Sequence, residues 1–225
     1  MKFAGTGDKI VNCESLESYY ANLSREGELV SRCRMALAGA DLAGKRVLDV
    51  ACRRGKGAYK LSELAGPGGF VLGVDWDPAF IKAACAGVPH ALERSGLAES
   101  NLIFGVAYPE NLAAAGVEAD SFDAVYVNNG IVLFADPVQA LRECARALVP
   151  DGLLILEVPV ATESPARDAL VAARAAGDSA QAARSFDEVE RWLTEGGFGK
   201  PTLVESSRID ERRELQVLQA HNHMS

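Results

Sequence analysis

The spacing of apolar residues changes character near residue 45. Residues 14–20 and 26–40 carry apolar side chains at helical spacing, with Gly39 and Gly44 as breaks, and predict a helical cap ahead of the main body. Short apolar runs then alternate with amphipathic stretches. Residues 46–51 (RVLDVA) read as a strand, and 56–65 as a helix that stops at Gly66-Pro67. Residues 70–74 (FVLGV) form a second strand ending at Asp75. Asp77-Pro78 places an N-cap residue before a proline at the first helical position, so a helix begins there; Pro89 is expected to split it in two before Gly96. Strands follow at 101–105 and 122–128 (FDAVYVN). A helix over 137–148 closes in a turn at 150–152, ahead of a strand over 153–158 (LLILEV). Helices are expected at 165–183 and 186–195, then two last strands at 202–208 and 214–220 with no helix between them.

Strands that alternate with helices imply a parallel sheet with right-handed crossovers. Two final strands joined by a short turn form a hairpin, so one strand runs antiparallel. The expected architecture is a three-layer, doubly wound α/β sheet of seven strands, mostly parallel with one antiparallel strand in a C-terminal hairpin. It is read as a single domain over 1–225, with 1–44 as the cap and 45–225 as the core.

Ligands in such sheets sit beyond the carboxyl ends of the strands, at the switch point. Asp75 ends the second strand, 20 residues past Gly55. A carboxylate there accepts both hydroxyls of a ribose, or else simply prepares the helix entry at Asp77. Trp76 either packs on a base or is a surface aromatic. The turn from Ala51 through Cys52, Arg53 and Arg54 to Gly55 joins the first strand to its helix, where free N–H groups face an anionic group. It matches neither GxxxxGK[ST] nor GxGxxG. Asp49, inside the first strand, either anchors this loop or faces an amine of the ligand.

Charge narrows the partners. The net charge is −8 and no Lys/Arg run exceeds two residues, which argues against nucleic acid or an anionic membrane. The five cysteines have neither CxxC nor zinc spacing, so no metal site is expected. No apolar run approaches the ~20 residues of a membrane span, and no leader-like segment follows Met1; a reducing cytoplasm is expected. His90, His221 and His223 fall in a helix break and a tail, so no general base stands out.

Three stretches carry a family resemblance: VLDV at 47–50, the segment 57–75, and 111–158. They resemble the class I S-adenosylmethionine (SAM)-dependent methyltransferases, most of all the arsenite methyltransferases. The resemblance implies SAM as cofactor, held by the loop that contains Asp49, Ala51, Arg53 and Gly55. It implies Asp75 on the ribose, Tyr108 and its neighbours around the adenine, and Asn128 beside the methionine part and the substrate. Tyr19-Tyr20 matches a tyrosine pair that covers the cofactor. Candidates to orient a small-molecule acceptor are Asn128, Asn129 and Tyr20, with Glu157 nearby.

Two departures stand out. The family's first loop reads D-x-G-x-G-x-G, whereas here Ala51 and Arg53 replace two of the glycines. The arsenite enzymes bind the metalloid through cysteines, whereas Asn129 and Ser179 fall at two matching positions and supply no soft ligand. Three readings follow: a SAM-dependent methyltransferase for a substrate other than arsenite; a relative that binds a different anionic or nucleotide-like ligand without methyl transfer; and a nicotinamide-dependent oxidoreductase.

Overall fold

The computed structural model describes residues 15–25 and 39–223. The expected helix over 26–40, and Cys13 and Cys33, lie almost wholly outside those residues.

Strand β1 (Arg46–Val50) is buried on both faces beyond Arg46 and pairs in parallel on both sides, with β2 (Phe70–Asp75) and β4 (Phe122–Asn128). β3 (Leu102–Val106) extends the sheet beyond β2, and β5 (Leu148–Ala161) extends it beyond β4. β7 (Thr202–Arg208) and β8 (Arg213–His221) complete the order β3-β2-β1-β4-β5-β8-β7. β8 is antiparallel to both its neighbours, which is the hairpin read from the sequence. An eighth strand, β6 (Arg184–Ser185), pairs with Val160 and Ala161 of β5. Two residues carry no periodicity, so it left no signal.

Helices cover the two faces. α2 (Lys56–Ala65) sets Ala58, Leu61 and Ala65 against Val47, Val71, Ala124, Tyr126 and Ile155. On the other face α4 (Pro137–Ala147) and α6 (Phe186–Glu195) set Leu141, Cys144, Val189 and Trp192 against Leu48, Val125, Leu154 and Leu156. Successive strand residues thus serve opposite layers, and each fully buried Leu or Val stabilises by ~1.5–3 kcal/mol.

Three expectations are corrected. α3 (Pro78–Ser95) runs through Pro89 unbroken. Pro89 is exposed, and so is Cys85 four residues back, where the carbonyl that loses its N–H partner sits near water. The helix expected over 165–183 is α5 (Arg167–Ala175) alone, because Gly177 turns left-handed at φ 66° and stops it. The turn expected at 150–152 is instead an irregularity within β5: Asp151 adopts φ 61° and the β4–β5 register shifts between Phe122 and Ala124. No helix among the described residues is long and apolar enough to cross a membrane.

Candidate ligand-binding cleft

The loop between β1 and α2 is built from left-handed residues. Ala51, Arg53 and Gly55 have φ of 62°, 50° and 79°. Three bonds from backbone N–H groups pin it: Cys52 N–H to Val74 O at 3.0 Å, Gly55 N–H to Cys52 O at 2.9 Å, and Arg53 N–H to the side-chain Asp75 Oδ2 at 2.9 Å. Only Gly55 needs glycine for space as well as conformation, since a Cβ there would lie 2.7 Å from Phe104 Cζ. Ala51 and Arg53 hold the same kind of kink at a cost of order 1 kcal/mol each.

The Arg53 side chain is held by Phe80 and Arg25 on the wall of the same cleft, within electrostatic reach of Asp75. Its guanidinium lies 5.1 Å from the centre of the Phe80 ring and donates to Arg25 O at 3.0 Å; Arg54 lies 4.8 Å from the same ring. Burial lowers the Arg53 pKa.

Asp75 is fully buried. Its second oxygen accepts the Asp77 N–H at 2.9 Å, so both oxygens are engaged by backbone. Burial pushes its pKa up to about 6, against the pull of these two amides. Asp77 in turn caps α3 through Ala79 N–H at 2.8 Å, so the ribose-holding and helix-entry readings divide between two aspartates. Asp49 is buried too. Burial first, and then the charge of Asp75, push its pKa up to about 8, and its Oδ2 has no hydrogen-bond partner. Cys52 beside them is a buried thiol raised far above its ordinary value by desolvation, and is therefore an inert group.

An aromatic group stands across β2 and β3. Trp76 follows β2, and Tyr108 follows β3. Tyr20, from α1 (Leu16–Ala21), stacks on Trp76 at 4.4 Å and 30° and on Tyr108 at 5.5 Å and 23°. The Tyr20 hydroxyl donates to Glu110 Oε1 at 2.7 Å. Burial pushes the Glu110 carboxyl up to about 7, and burial and then Glu110 raise Tyr20 well above the ordinary phenol. Trp76 is therefore no isolated surface aromatic. Tyr20, Ala51, Arg53, Trp76, Asp77 and Tyr108 line one cleft of about 500 Å³.

The end of β4 forms a separate cluster. Asn129, at φ 55° and fully buried, donates from Nδ2 to Asn128 Oδ1 at 2.8 Å, and its backbone N–H reaches Glu157 O at 2.7 Å. The Tyr126 hydroxyl donates to Glu157 Oε2 at 3.1 Å, and burial raises the Glu157 pKa. Asn128 is half-buried; Asn129 and Ser179 present no exposed surface. Sequence reasoning missed Glu110, Phe80 and Arg25. Glu110 could have been found, because it falls in the loop after the third strand, one of the places where a doubly wound sheet holds its ligand. Arg25 had no signal.

The sequence model of the methyltransferase domain matches residues 41–198. The chain belongs to this methyltransferase family. Among curated members, the arsenite methyltransferase of Aquipseudomonas alcaligenes is 33% identical over 173 residues, 77% of this chain and 49% of that protein. The arsenite methyltransferase of Mus musculus is 35% identical over 121 residues, 51% of this chain and 32% of that one. A ubiquinone biosynthesis O-methyltransferase of Xanthomonas oryzae is 37% identical over 116 residues, 52% of this chain and 44% of that one. The chain thus spans about half or less of the length of these relatives. The crystal structure of an arsenic (III) S-adenosylmethionine methyltransferase from Chlamydomonas reinhardtii superposes with a TM-score of 0.74 at 27% identity, over 80% of this chain and 64% of that one. The methyltransferase-type sheet, with its one antiparallel strand, is the fold these relatives share with the chain.

Proposed function

We propose that this chain is one methyltransferase-type domain that binds SAM and transfers its methyl group to a small-molecule acceptor other than arsenite. The observation that carries this reading is the β1–α2 loop. Its three left-handed residues stand where the family pattern has glycines, and its Arg53 amide meets the buried Asp75. All three adopt the left-handed conformation that glycine reaches most readily, although two of them are not glycine.

The residues present fit the cofactor. Asp75 would hold the ribose, because each of its oxygens retains a lone pair beyond the backbone amide it already accepts. Trp76 and Tyr108 offer aromatic faces for a base, with Ala51, Arg53 and Gly55 forming the loop beneath. Asp49, buried with one unpartnered oxygen, would face the cationic part of the ligand, and a positive charge there favours its ionised form. Bound SAM supplies a methyl group on a sulfonium, open to displacement by a nucleophile of the acceptor. The protein's part is positioning and exclusion of water. Asn128, half-buried at the end of β4, would orient the acceptor, with Asn129 donating to its amide oxygen and Glu157 holding Asn129 in turn. Tyr20, with its hydroxyl on Glu110 and its pKa raised, does not serve as a base in this arrangement. An acceptor that carries its own nucleophile, such as a thiolate, needs no further group. Asn129 and Ser179 at the matching positions are the reason to set arsenite aside. A reducing cytoplasm is the setting proposed for the chain.

Isothermal titration with SAM and S-adenosylhomocysteine tests the reading. A dissociation constant below about 1 mM, weakened in folded Asp75→Ala, is expected; no heat with either compound overturns it. The second reading, an anionic ligand without methyl transfer, draws on Arg53 and Arg54 stacked on the single Phe80 ring. It predicts that ATP binds and SAM does not.

A further inference from the structure

Arg53 lines the cleft, and Arg54 beside it shares the same aromatic platform. The two guanidiniums lie 5.1 and 4.8 Å from the centre of the buried Phe80 ring. Arginines elsewhere reach carboxylates: Arg25 meets Asp77, Arg94 meets Glu63, and Arg213 meets Asp210. Among the described residues no ion pair forms at Arg53 or Arg54, although the chain holds 31 Asp and Glu against 23 Lys and Arg. The one side-chain hydrogen bond of the pair runs from Arg53 to Arg25 O at 3.0 Å. Asp75 attracts Arg53 through space, but each of its oxygens is already engaged by a backbone amide.

This arrangement is unfavourable for the chain alone. Burial lowers the Arg53 pKa, and repulsion from Arg54 lowers it further. Arg53 also stands at φ 50°, where glycine sits without strain and a side chain costs of order 1 kcal/mol. The cofactor offsets none of this. SAM carries a sulfonium and an ammonium against a single carboxylate, so it is a net cation. Guanidiniums beside it disfavour its binding, whereas the buried Asp49 and Asp75 favour it. An anion is what removes the repulsion between the two arginines. Their ring contact uses guanidinium faces rather than N–H donors, and Arg54 makes no side-chain hydrogen bond among the described residues. Those donors match the paired oxygens of a phosphate or a carboxylate.

We propose that Arg53 and Arg54, held on Phe80, form an oxyanion subsite that takes the phosphate or carboxylate group of the methyl acceptor while SAM occupies the cleft. The proposal rests on the SAM-binding reading given above and narrows its acceptor to an anionic small molecule. Attraction to the pair also draws such an acceptor to this side of a chain whose net charge of −8 repels it elsewhere. Arg25 is not part of the subsite, because Asp77 already neutralises it.

The test is titration of methyl phosphate, and separately of acetate, into the full chain with and without saturating S-adenosylhomocysteine. Ionic strength is held constant with sodium chloride, and binding is read from the backbone amide resonances of residues 52–57. With S-adenosylhomocysteine bound, the wild type is expected to take at least one of the two anions with a dissociation constant of about 1–10 mM. The tighter of the two identifies the group. Arg54→Gln should weaken that binding roughly fivefold, and Arg53→Gln with Arg54→Gln should abolish it. Both variants should hold S-adenosylhomocysteine within about threefold of wild type, since the cofactor gains nothing from the pair. Equal anion binding by the double variant, or shifts no larger than chloride gives, marks an adventitious ion only; that overturns the subsite and leaves the SAM reading standing. Displacement of S-adenosylhomocysteine by either anion overturns the acceptor role. A chain that binds methyl phosphate or acetate but not S-adenosylhomocysteine overturns the SAM reading and the acceptor role with it. Binding of neither overturns both. If the double variant fails to fold, Arg54→Gln, a change at an exposed side chain, decides.

Discussion

The main-chain N–H of Arg53 meets Asp75 Oδ2 at 2.9 Å and ties the β1–α2 loop to the end of β2. With the Asp77 amide on the other oxygen, one buried carboxylate satisfies two main-chain donors from two connections. Asp75→Ala leaves both donors without a partner, and a loss of about 2–4 kcal/mol is expected in urea unfolding. Asp75→Asn keeps one acceptor oxygen and should lose roughly half as much. Equal losses would mean that the acceptor count is not what matters.

Arg53 itself invites a different expectation. Its side chain already points to Phe80 and Arg25, and its backbone already has the left-handed form. Arg53→Gly should therefore change affinity for S-adenosylhomocysteine by less than about threefold and stability by less than about 1 kcal/mol. Relief of the kink is offset by a floppier unfolded chain. Arg53→Val, branched at Cβ and forced to the same φ, should cost ~2 kcal/mol. A large gain in affinity for Arg53→Gly would show that the guanidinium obstructs the cleft.

Gly55 is the strict position. At φ 79°, with Phe104 only 2.7 Å from an added Cβ, Gly55→Ala should destabilise by about 2–3 kcal/mol in thermal or urea unfolding. Phe104→Leu in the same chain should recover part of that loss, because it removes the clash and leaves the φ strain. Full additivity of the two substitutions would place the whole cost in the backbone.

Asp49 sets a pH dependence. Its folded pKa of about 8 lies above the ordinary 3.8, so the folded chain holds a proton there that the unfolded chain gives up. Stability from this group is complete in acid and is lost as pH rises from about 4 to about 8. Asp49→Asn removes that slope. Relative to wild type, the variant should gain about 2 kcal/mol or more between pH 5 and pH 8, followed by urea midpoints at each pH. A constant difference across that range would mean that Asp49 titrates near its ordinary value.

Much of this was legible in the chain. The alternation of 46–51, 56–65 and 70–74 and the lack of a helix between 202–208 and 214–220 specify a parallel sheet with one reversed strand. Asp75 and Trp76 fall at the end of the second strand, where topology singles them out, whereas Tyr108 was named through the family resemblance. What escaped depends on contacts distant in sequence. The Tyr20–Glu110 bond joins residues 90 apart, and nothing near either residue announces it. The conformation of Ala51 and Arg53 was hidden because only glycine advertises positive φ; pinning by Val74 and Asp75 imposes it on other residues. Pro89 misled because proline signals a break wherever it stands, whereas on the exposed side of a helix, with Cys85 one turn earlier also exposed, the lost bond is tolerated.

The sheet's order has a consequence for how the chain assembles. β8 is made after β7 yet sits between it and β5, so β7 has no attachment to the sheet until β8 has been inserted. During synthesis β5 waits with an open flank of unpaired backbone, broad and apolar, until Arg213–His221 emerges. Any delay in that stretch leaves a half-built barrier to mispairing, and chaperone demand should concentrate on that interval.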